Sequence, residues 1–408
     1  MEILHPRCAG LDVHKDSVVA CARVVAAKGV EQHVETFATT TAALLQLSDW
    51  LTGYGVTHVA MEATGIYWRP VWHVLEGSFD LVLANAMHIK NVPGRKTDVN
   101  DAMWIADLLA HGLIRSSFVP PTSVQELRTL TRTRKQLVRE RASHVQRIDK
   151  VLQDANLKLG SVLSDIMGQS GRAILAALVA GETDPERLVT LVSDRVKARR
   201  REIVEALRGR VTPHHRFLLQ LHLDQVATLE AAIAKVDAEV GESLAPFRAA
   251  AQRLTTIPGV SAVAAAVLVA EIGIDMTRFP SAGHLRSWAG LCPINDESAG
   301  KRRSTRLRKG APWLKTTLVQ AAWCATRAKK SYLRAQFLRL KARRGPRKAI
   351  VAVAGSILTA AYYMLARGED YHDLGPTYFE RADRQKAARR LLRKLGELGF
   401  QVDVRDAA

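Results

Sequence analysis

The chain has 408 residues, 47% apolar and 24% charged, which is ordinary for a soluble globular protein of two or three domains. Lysine and arginine number 59 against 40 aspartates and glutamates, so the net charge is +19 and we expect a polyanionic partner, nucleic acid ahead of a membrane surface. The four cysteines stand far apart with no CxxC pair, which argues against a disulfide framework or a zinc ribbon and fits a reducing cytoplasm.

Two apolar features decide the expected location. The first seven residues contain no apolar segment, so we expect no secretory signal. The longest apolar run, from Ala349 to Ala366, is rich in alanine and interrupted by Gly355 and Ser356. This composition predicts a buried core helix rather than a membrane span. The sequence therefore indicates a cytoplasmic protein without a membrane partner.

The first hundred residues read as alternating strands and helices. Apolar runs predict strands over 8–14, 17–25, 31–39, 57–65 and 80–85. Helical periodicity marks 41–51, 67–75 and a segment that carries Asp98 and Asp101. Hairpin-rich strands followed by alternating helix and strand predict an α/β domain with a mixed sheet.

Four carboxylates fall at the ends of these elements. Asp98 and Asp101 stand three residues apart, so they share a helix face, while Asp107 turns to the opposite side. Asp12 and Glu62 lie near the ends of two predicted strands. Hard divalent cations prefer oxygen ligands, and two such ions can hold the attacking and leaving oxygens of a phosphoryl transfer. The ordering resembles the ribonuclease-H-like fold of RuvC-type nucleases.

Each carboxylate also has an ordinary structural explanation. Asp98 fits a helix N-cap with Asp101 as the acidic residue three positions later. Asp12 fits a strand-end turn, and Glu62 fits a surface position. Only the joint order of the four favours a metal site over these alternatives.

The middle of the chain is helical. Residues 122–159 contain no glycine or proline. A second row of apolar residues, spaced three and four apart, covers 226–244. Two long helices flanking a helical insert at about 160–212 predict an antiparallel coiled-coil arm or a dimer zipper. The arginines of the first helix form either a solvated face or a surface for nucleic acid.

The last third contains a sharper motif. Ile257-Pro258-Gly259-Val260 resembles the turn of a helix-hairpin-helix, whose amides contact phosphates. Ser298 then stands in a Ser-Ala-Gly turn beside a cluster in which six of nine residues are basic: Lys301, Arg302, Arg303, Arg306, Arg308 and Lys309. A hydroxyl in this position can approach a phosphate held by the cations, or simply contact DNA without a covalent role. Helices are expected over 312–328 and 349–366, with a basic stretch at 329–348 and a charged tail at 380–394.

Several stretches together resemble one family. They are Gly10–Lys15, Met61–Gly65, Lys96–Ala102, Ile257–Val260 and Gly290–Lys301. In this order they are similar to insertion-sequence transposases that pair an N-terminal RuvC-like DEDD domain with a C-terminal transposase domain, a family that includes Piv-type DNA invertases and bridge-RNA-guided recombinases. The resemblance implies an α/β ribonuclease-H-like (RuvC-like) domain over 1–118, a coiled-coil region over 119–250 for dimerisation and nucleic-acid binding, a mainly α-helical C-terminal transposase domain over 251–370, and a charged helical tail over 371–408.

The same resemblance implies the chemistry. Asp12, Glu62, Asp98 and Asp101 would bind Mg²⁺, and Ser298 would attack DNA to form a covalent phosphoserine link. The enzyme would recombine element ends or junctions with target DNA in the bacterial cytoplasm, near the nucleoid, as a homodimer or homotetramer, and in bridge-RNA members with a noncoding guide RNA. The alternatives are a hydrolytic RuvC-like Holliday-junction nuclease without a covalent intermediate, and a basic coiled-coil binding protein without activity.

Overall fold

The structure of the protein is a computed structural model that describes residues 2–27, 29–63, 65–84, 89, 101–114, 116–294, 297–298, 300–304 and 306–399. The chain divides into two compact units, Met1–Val119 and Pro120–Ala408. Each unit contains buried apolar clusters of its own.

The first unit is built on a five-stranded mixed sheet. Its strands are β1 (Arg7–Val13), β2 (Ser17–Ala26), β3 (Gly29–Ala38), β4 (His58–Glu62) and β5 (Asp80–Ala84), in the order β3-β2-β1-β4-β5. The first three strands form antiparallel hairpins, while β4 runs parallel to β1 and β5 runs parallel to β4. The five predicted strands and their mixed pairing are therefore confirmed, with ends that differ by at most three residues.

Helices cover both faces of this sheet. They are α1 (Thr41–Gly53), α2 (Trp68–Leu75) and α3 (Asp101–Ala110). Alternate residues of β1 point to opposite faces. Leu11 packs in the cluster that contains α1 and α2, whereas Cys8 packs in the cluster that contains α3. Burial on both faces explains why β1 reads as a nearly continuous apolar run.

The second unit is almost entirely helical. Its helices up to residue 288 are α4 (Thr122–Asp154), α5 (Leu159–Val162), α6 (Gln169–Ala180), α7 (Pro185–Leu188), α8 (Arg200–Ala206), α9 (Pro213–Ser243), α10 (Arg248–Thr255), α11 (Ala262–Ile272) and α12 (Ala282–Trp288). A two-stranded sheet, β6 (Glu297–Ser298) and β7 (Lys301–Arg302), precedes α13 (Pro312–Ala325), α14 (Tyr332–Arg344), α15 (Pro346–Arg367) and α16 (Tyr378–Glu397).

The two long helices α4 and α9 lie side by side and antiparallel. Arg134 pairs with Asp237 toward one end, and Asp154 pairs with His215 at 2.9 Å toward the other. The helix predicted over 122–159 ends at Asp154, because Asn156 adopts a left-handed backbone with φ of 57°. The insert between the two helices has its own apolar core, which the ends of α4 and α9 complete.

The arginines of α4 serve the interior of this unit. Arg132 binds the carboxylate of Glu271 in α11 through two hydrogen bonds of 2.8 and 2.9 Å, and the Glu271 side chain is only 1% exposed. Arg128 donates to the backbone oxygens of Ala270 and Glu271. Arg141 pairs with Glu230 of α9 at 2.7 Å. Each of these three arginines has a partner in α9 or α11, which the prediction of a solvated or nucleic-acid-binding face did not include.

The apolar run near the C-terminus is a core helix. By length and composition alone α15 is long enough to cross a membrane, but half of its most apolar window is buried. Ile350, Val353 and Leu358 lie in the interior, and the helix packs against α12, α13 and α14. One such helix is weak support for a membrane span, and the core-helix prediction is confirmed.

Candidate active site

Asp12 and Glu62 end neighbouring parallel strands. In the β1–β4 register Gly10 pairs with Ala60 and Leu11 with Met61, so Asp12 and Glu62 follow the last pair at the same end of the sheet. Because side chains alternate along strands, both carboxylates belong to the face that Gly10 and Ala60 present to α3. Register alone thus brings these two residues together.

The α3 helix approaches this face at its first turn. A β-carbon on Gly10 would stand 2.2 Å from the carbonyl oxygen of Ala102 and 2.4 Å from the amide nitrogen of Ala106. Two residues earlier, on the same face of β1, the Cys8 thiol donates to the backbone oxygen of Ala106 at 3.5 Å. The helix therefore runs antiparallel to β1, and its first residue, Asp101, lies toward the strand end that carries Asp12.

His14 is a neighbour of Asp12 that sequence reasoning did not assign. Its Nε2 lies 3.1 Å from Oδ2 of Asp12, whose side chain is 20% exposed. A histidine that donates to a carboxylate fixes the orientation of that carboxylate. The only sequence signal was its position two residues after Asp12.

The fourth predicted carboxylate, Asp98, lies outside the described residues. Within the described part of the chain no cluster of three His, Cys, Asp or Glu side chains forms a metal site. Asp12, Glu62 and Asp101 nevertheless supply the hard oxygen donors that Mg²⁺ prefers. The donor chemistry of the set therefore fits that ion.

An ion pair between a buried arginine and a half-exposed aspartate holds α3 on the sheet. Arg23 of β2, whose side chain is 5% exposed, donates from Nε to Oδ1 of Asp107 at 2.7 Å. Gln32 of β3 donates to the same oxygen at 3.3 Å. Through these two contacts Asp107 anchors the helix to two strands.

Two buried thiols lie in the same layer. Burial is the main cause that raises the pKa of Cys8 to about 11 and that of Cys21 to about 12. The carboxylate of Asp107 raises both pKa values further, while Arg23 lowers them. These cysteines are inert packing groups near neutral pH.

Ser298 lies at the tip of a β-hairpin in the second unit. It pairs with Lys301, and Glu297 pairs with Arg302, so two residues connect the strands. Farther from the tip, the Ile294 amide donates to the Arg306 oxygen at 2.8 Å, and the Arg308 amide donates to the Cys292 oxygen at 3.2 Å. The hairpin was not predicted, because strands of two residues leave no periodic signal.

Two glycines close the base of this hairpin. A β-carbon on Gly310 would stand 2.4 Å from the amide nitrogen of Gly290, and Gly290 itself has φ of 72°. Larger residues would force the two chain segments apart. The close contact between Gly290 and Gly310 therefore joins the two ends of the segment that contains Ser298.

The predicted nucleic-acid-binding residues surround the hairpin. Those whose side chains are described are all exposed: Lys301, Arg303, Arg306, Arg308 and Lys309. The side chain of Arg302 lies outside the described part, as does that of Ser298. Arg308 donates to the hydroxyl of Ser287 at 3.0 Å. The strands carry a dense positive surface with exposed charges.

The Pro-Gly turn that resembles a helix-hairpin-helix is packed against another helix. Gly259 has φ of 86°, and a β-carbon there would stand 2.3 Å from the oxygen of Ala321. The turn between α10 and α11 therefore packs against the backbone of α13. Its glycine is required for this helix contact, which accounts for the motif without a phosphate.

The chain is similar to known transposases in both of its units. A family model described as a transposase, of the DEDD type of IS110 elements, matches residues 9–157. A second, described as the transposase IS116/IS110/IS902 family, matches residues 251–338. The first match includes the four carboxylates, and the second includes Ser298 and the basic cluster.

Individual relatives agree with these matches. The chain is 24% identical over 369 residues to the transposase for insertion sequence element IS1111A of Coxiella burnetii, covering 89% of this chain and 90% of that protein. It is 29% identical over 283 residues to the uncharacterized 44.8 kDa protein of insertion element IS116 of Streptomyces clavuligerus, covering 59% and 68%. Over 133 residues it is 32% identical to the uncharacterized 43.6 kDa protein of insertion element IS110 of Streptomyces coelicolor, 32% of each chain.

Proposed function

We propose that the chain, which is similar to IS110-type transposases over residues 9–157 and 251–338, is an insertion-sequence transposase that cuts and rejoins DNA with a carboxylate set and a serine. The observation that carries the proposal is the register of β1 and β4, since it brings Asp12 and Glu62 to one strand end beside the start of α3. The sheet order and this placement support a RuvC-like fold for the first unit.

The carboxylates would form the metal site. We assign Asp12, Glu62, Asp98 and Asp101 as the residues that hold Mg²⁺. Bound there, the ion would withdraw negative charge from a phosphate and lower the pKa of an attacking hydroxyl. His14 would keep the Asp12 carboxylate oriented, and α3 would present Asp101 from a position fixed by Gly10.

Ser298 would be the nucleophile. Its hydroxyl oxygen attacks a backbone phosphorus, its proton passes to a general base, and the bond from phosphorus to the 3′ oxygen breaks. The 3′ hydroxyl leaves with a proton, and the DNA remains attached through a 5′-phosphoserine. Attack by the 3′ hydroxyl of another strand restores a phosphodiester and frees the serine, so rejoining needs no external energy source.

The hairpin supports this role electrostatically. The exposed cations Lys301, Arg303 and Arg306 would bind the phosphates on either side of the scissile one. A short, paired hairpin holds its tip more rigidly than a loop without hydrogen bonds, which reduces the entropy lost on reaching a reactive geometry. DNA is thus the partner of this surface.

A hydrolytic nuclease is the second candidate, because the carboxylate arrangement stands without any help from Ser298. In that case water attacks the phosphorus and Ser298 only contacts DNA. Cleavage in water enriched in heavy oxygen separates the two. A serine-linked transfer gives rejoined product without heavy oxygen, whereas hydrolysis leaves it in the product phosphate. Ser298→Ala should abolish product, while Ser304→Ala, in the same hairpin, should not.

Assembly and RNA complete the proposal. The antiparallel helices α4 and α9 would hold a homodimer or homotetramer, which mass measurement in solution tests directly.

A noncoding guide RNA from the element's flanks would select the target. Omission of that RNA from a recombination assay with purified protein should abolish insertion at the specific target sequence. Insertion at the same target without the RNA would show that the RNA does not select it.

A further inference from the structure

A cavity of about 400 Å³ lies in the second unit, between α14 and the segment that leads into α16. Its walls include Lys329, Arg334, Leu338, Arg339, Pro376 and Phe379. The volume falls within the range of sites that hold small organic groups. Neither the carboxylates nor Ser298 takes part in it, so it goes beyond the proposed function.

The outer wall is tied firmly to α14. Oδ1 of Asp373 accepts the backbone N–H of Tyr332 at 2.9 Å and that of Gly375 at 2.7 Å. The ring of Phe379 stacks on that of Tyr332, with centroids 5.1 Å apart and planes inclined by 22°. Phe379 is therefore held in place as a wall of the cavity by the start of α14.

The surrounding segment is strongly cationic. Residues 329–348 contain nine lysines and arginines and no acidic residue. Those in the last turn of α14 complement its dipole, but Arg347 and Lys348 lie in the first turn of α15, where positive charge is unfavourable. This concentration of like charge favours a bound polyanion.

Planar groups stand beside these charges. The guanidinium carbon of Arg339 lies 5.0 Å from the ring centroid of Phe379. Aromatic rings and guanidinium planes are surfaces on which unpaired bases stack, while flanking cations bind the phosphates. A paired base inside a duplex cannot enter such a cavity.

We propose that this cavity takes one unpaired nucleotide of a single-stranded nucleic acid, whose backbone follows the cations of α14. The second family match ends at residue 338. Lys329, Arg334 and Leu338 lie within that match, whereas the stacked pair Arg339 and Phe379 lies beyond it, so only the stacking groups of the proposed site fall outside the matched transposase segment.

Fluorescence anisotropy with labelled oligothymidylate and oligouridylate, each compared with a duplex, tests the proposal. Chelator in the buffer separates single-strand binding from the metal-dependent reaction. Phe379→Leu should weaken single-strand binding about tenfold without changing its salt dependence. Arg339→Gln should weaken binding and reduce the salt slope by about 0.7. Comparison of the two oligonucleotides tells DNA from RNA.

The controls address folding and nonspecific effects. Phe379→Tyr keeps the ring and should keep binding, which excludes a mere loss of α16. Phe217→Leu removes a phenylalanine that is 65% exposed on α9 and should change nothing. Single-strand affinities of Phe379→Leu and Arg339→Gln equal to that of the unaltered protein would overturn the proposal. Equal losses for duplex and single strand would also overturn it, because only charge would then matter.

Discussion

Gly10 of β1 lies against the backbone of Ala102 in α3, so closely that a β-carbon would stand 2.2 Å from the Ala102 carbonyl oxygen. Asp12 follows Gly10 by two residues on the same strand face, and Asp101 precedes Ala102 by one. One backbone contact therefore sets the placement of two proposed metal ligands. The absence of a side chain at position 10 is what permits it.

Gly10→Ala should displace α3 from the sheet. The added methyl group meets backbone rather than a flexible side chain, so the unit should lose about 1–3 kcal/mol of stability. The Mg²⁺ concentration needed for DNA cleavage should rise, because Asp101 moves relative to Asp12. Gly53→Ala is the matched control, since a β-carbon at Gly53 has no neighbour within 4 Å. Equal metal requirements for both variants would contradict this account.

The Arg23–Asp107 pair should stabilise the same helix. Asp107→Leu leaves the buried Arg23 without its carboxylate, and Nη1 of Arg23 already has no hydrogen bond within the described chain. Because Asp107 is 40% exposed, we expect a loss of about 2 kcal/mol rather than the full cost of a buried charge. Hydrogen exchange should quicken in α3. The double variant Arg23→Met/Asp107→Leu should regain most of the stability, and a double variant weaker than Asp107→Leu would count against the argument.

Glu271 should matter more than any exposed acidic residue of the second unit. Glu271→Leu removes the carboxylate bound by Arg132 and should cost about 3 kcal/mol in urea unfolding. Glu186→Gln is the comparison, because Glu186 and Arg200 pair at 3.0 Å with both side chains more than 60% exposed. That change should cost at most about 0.5 kcal/mol. Similar losses in the free energy of unfolding for the two variants would show that burial of the Glu271 ion pair does not contribute to stability.

The buried thiols should make the first unit sensitive to alkali. Their ordinary pKa is 9.0, and folding raises it to about 11 for Cys8 and about 12 for Cys21. Above pH 9 the unfolded chain releases these protons while the folded chain keeps them. The free energy of unfolding should therefore fall as pH rises from 9, up to about pH 11 for the Cys8 contribution and about pH 12 for that of Cys21, with a limiting slope of about 1.4 kcal/mol per pH unit for each thiol.

Substitution and labelling check this slope. Cys8→Ala/Cys21→Ala should flatten the decline in an alkaline series of urea titrations. At neutral pH, thiol reagents should modify the exposed Cys324 in the folded protein and leave Cys8 and Cys21 unmodified. Rapid modification of Cys8 without unfolding would contradict the burial argument.

The first unit was predictable because its signals are local. Strand β1 is apolar along its length, and the turn at Lys15-Asp16 separates it from β2. Asp12 and Glu62 could be placed at strand ends from these runs alone. Their proximity follows from the parallel register of β1 and β4, which no local pattern specifies.

Several contacts of the second unit could not be predicted from the sequence, because they join residues that lie far apart along the chain. Arg132 and Glu271 are 139 residues apart, so a basic helix face looked solvated although its arginines have partners in another helix. The hairpin around Ser298 depends on two glycines twenty residues apart. Long-range ion pairs and close backbone contacts of this kind arise only from tertiary packing.

The most direct test of the account is capture of the covalent intermediate. The protein is incubated with Mg²⁺ and element-junction DNA labelled at the scissile phosphate, then denatured and digested. Serine recombination predicts label on the peptide that contains Ser298, lost in Ser298→Ala and in Asp12→Asn but kept in Ser304→Ala. Cleaved DNA without labelled protein, undiminished in Ser298→Ala, would contradict it and establish hydrolysis by the carboxylate site.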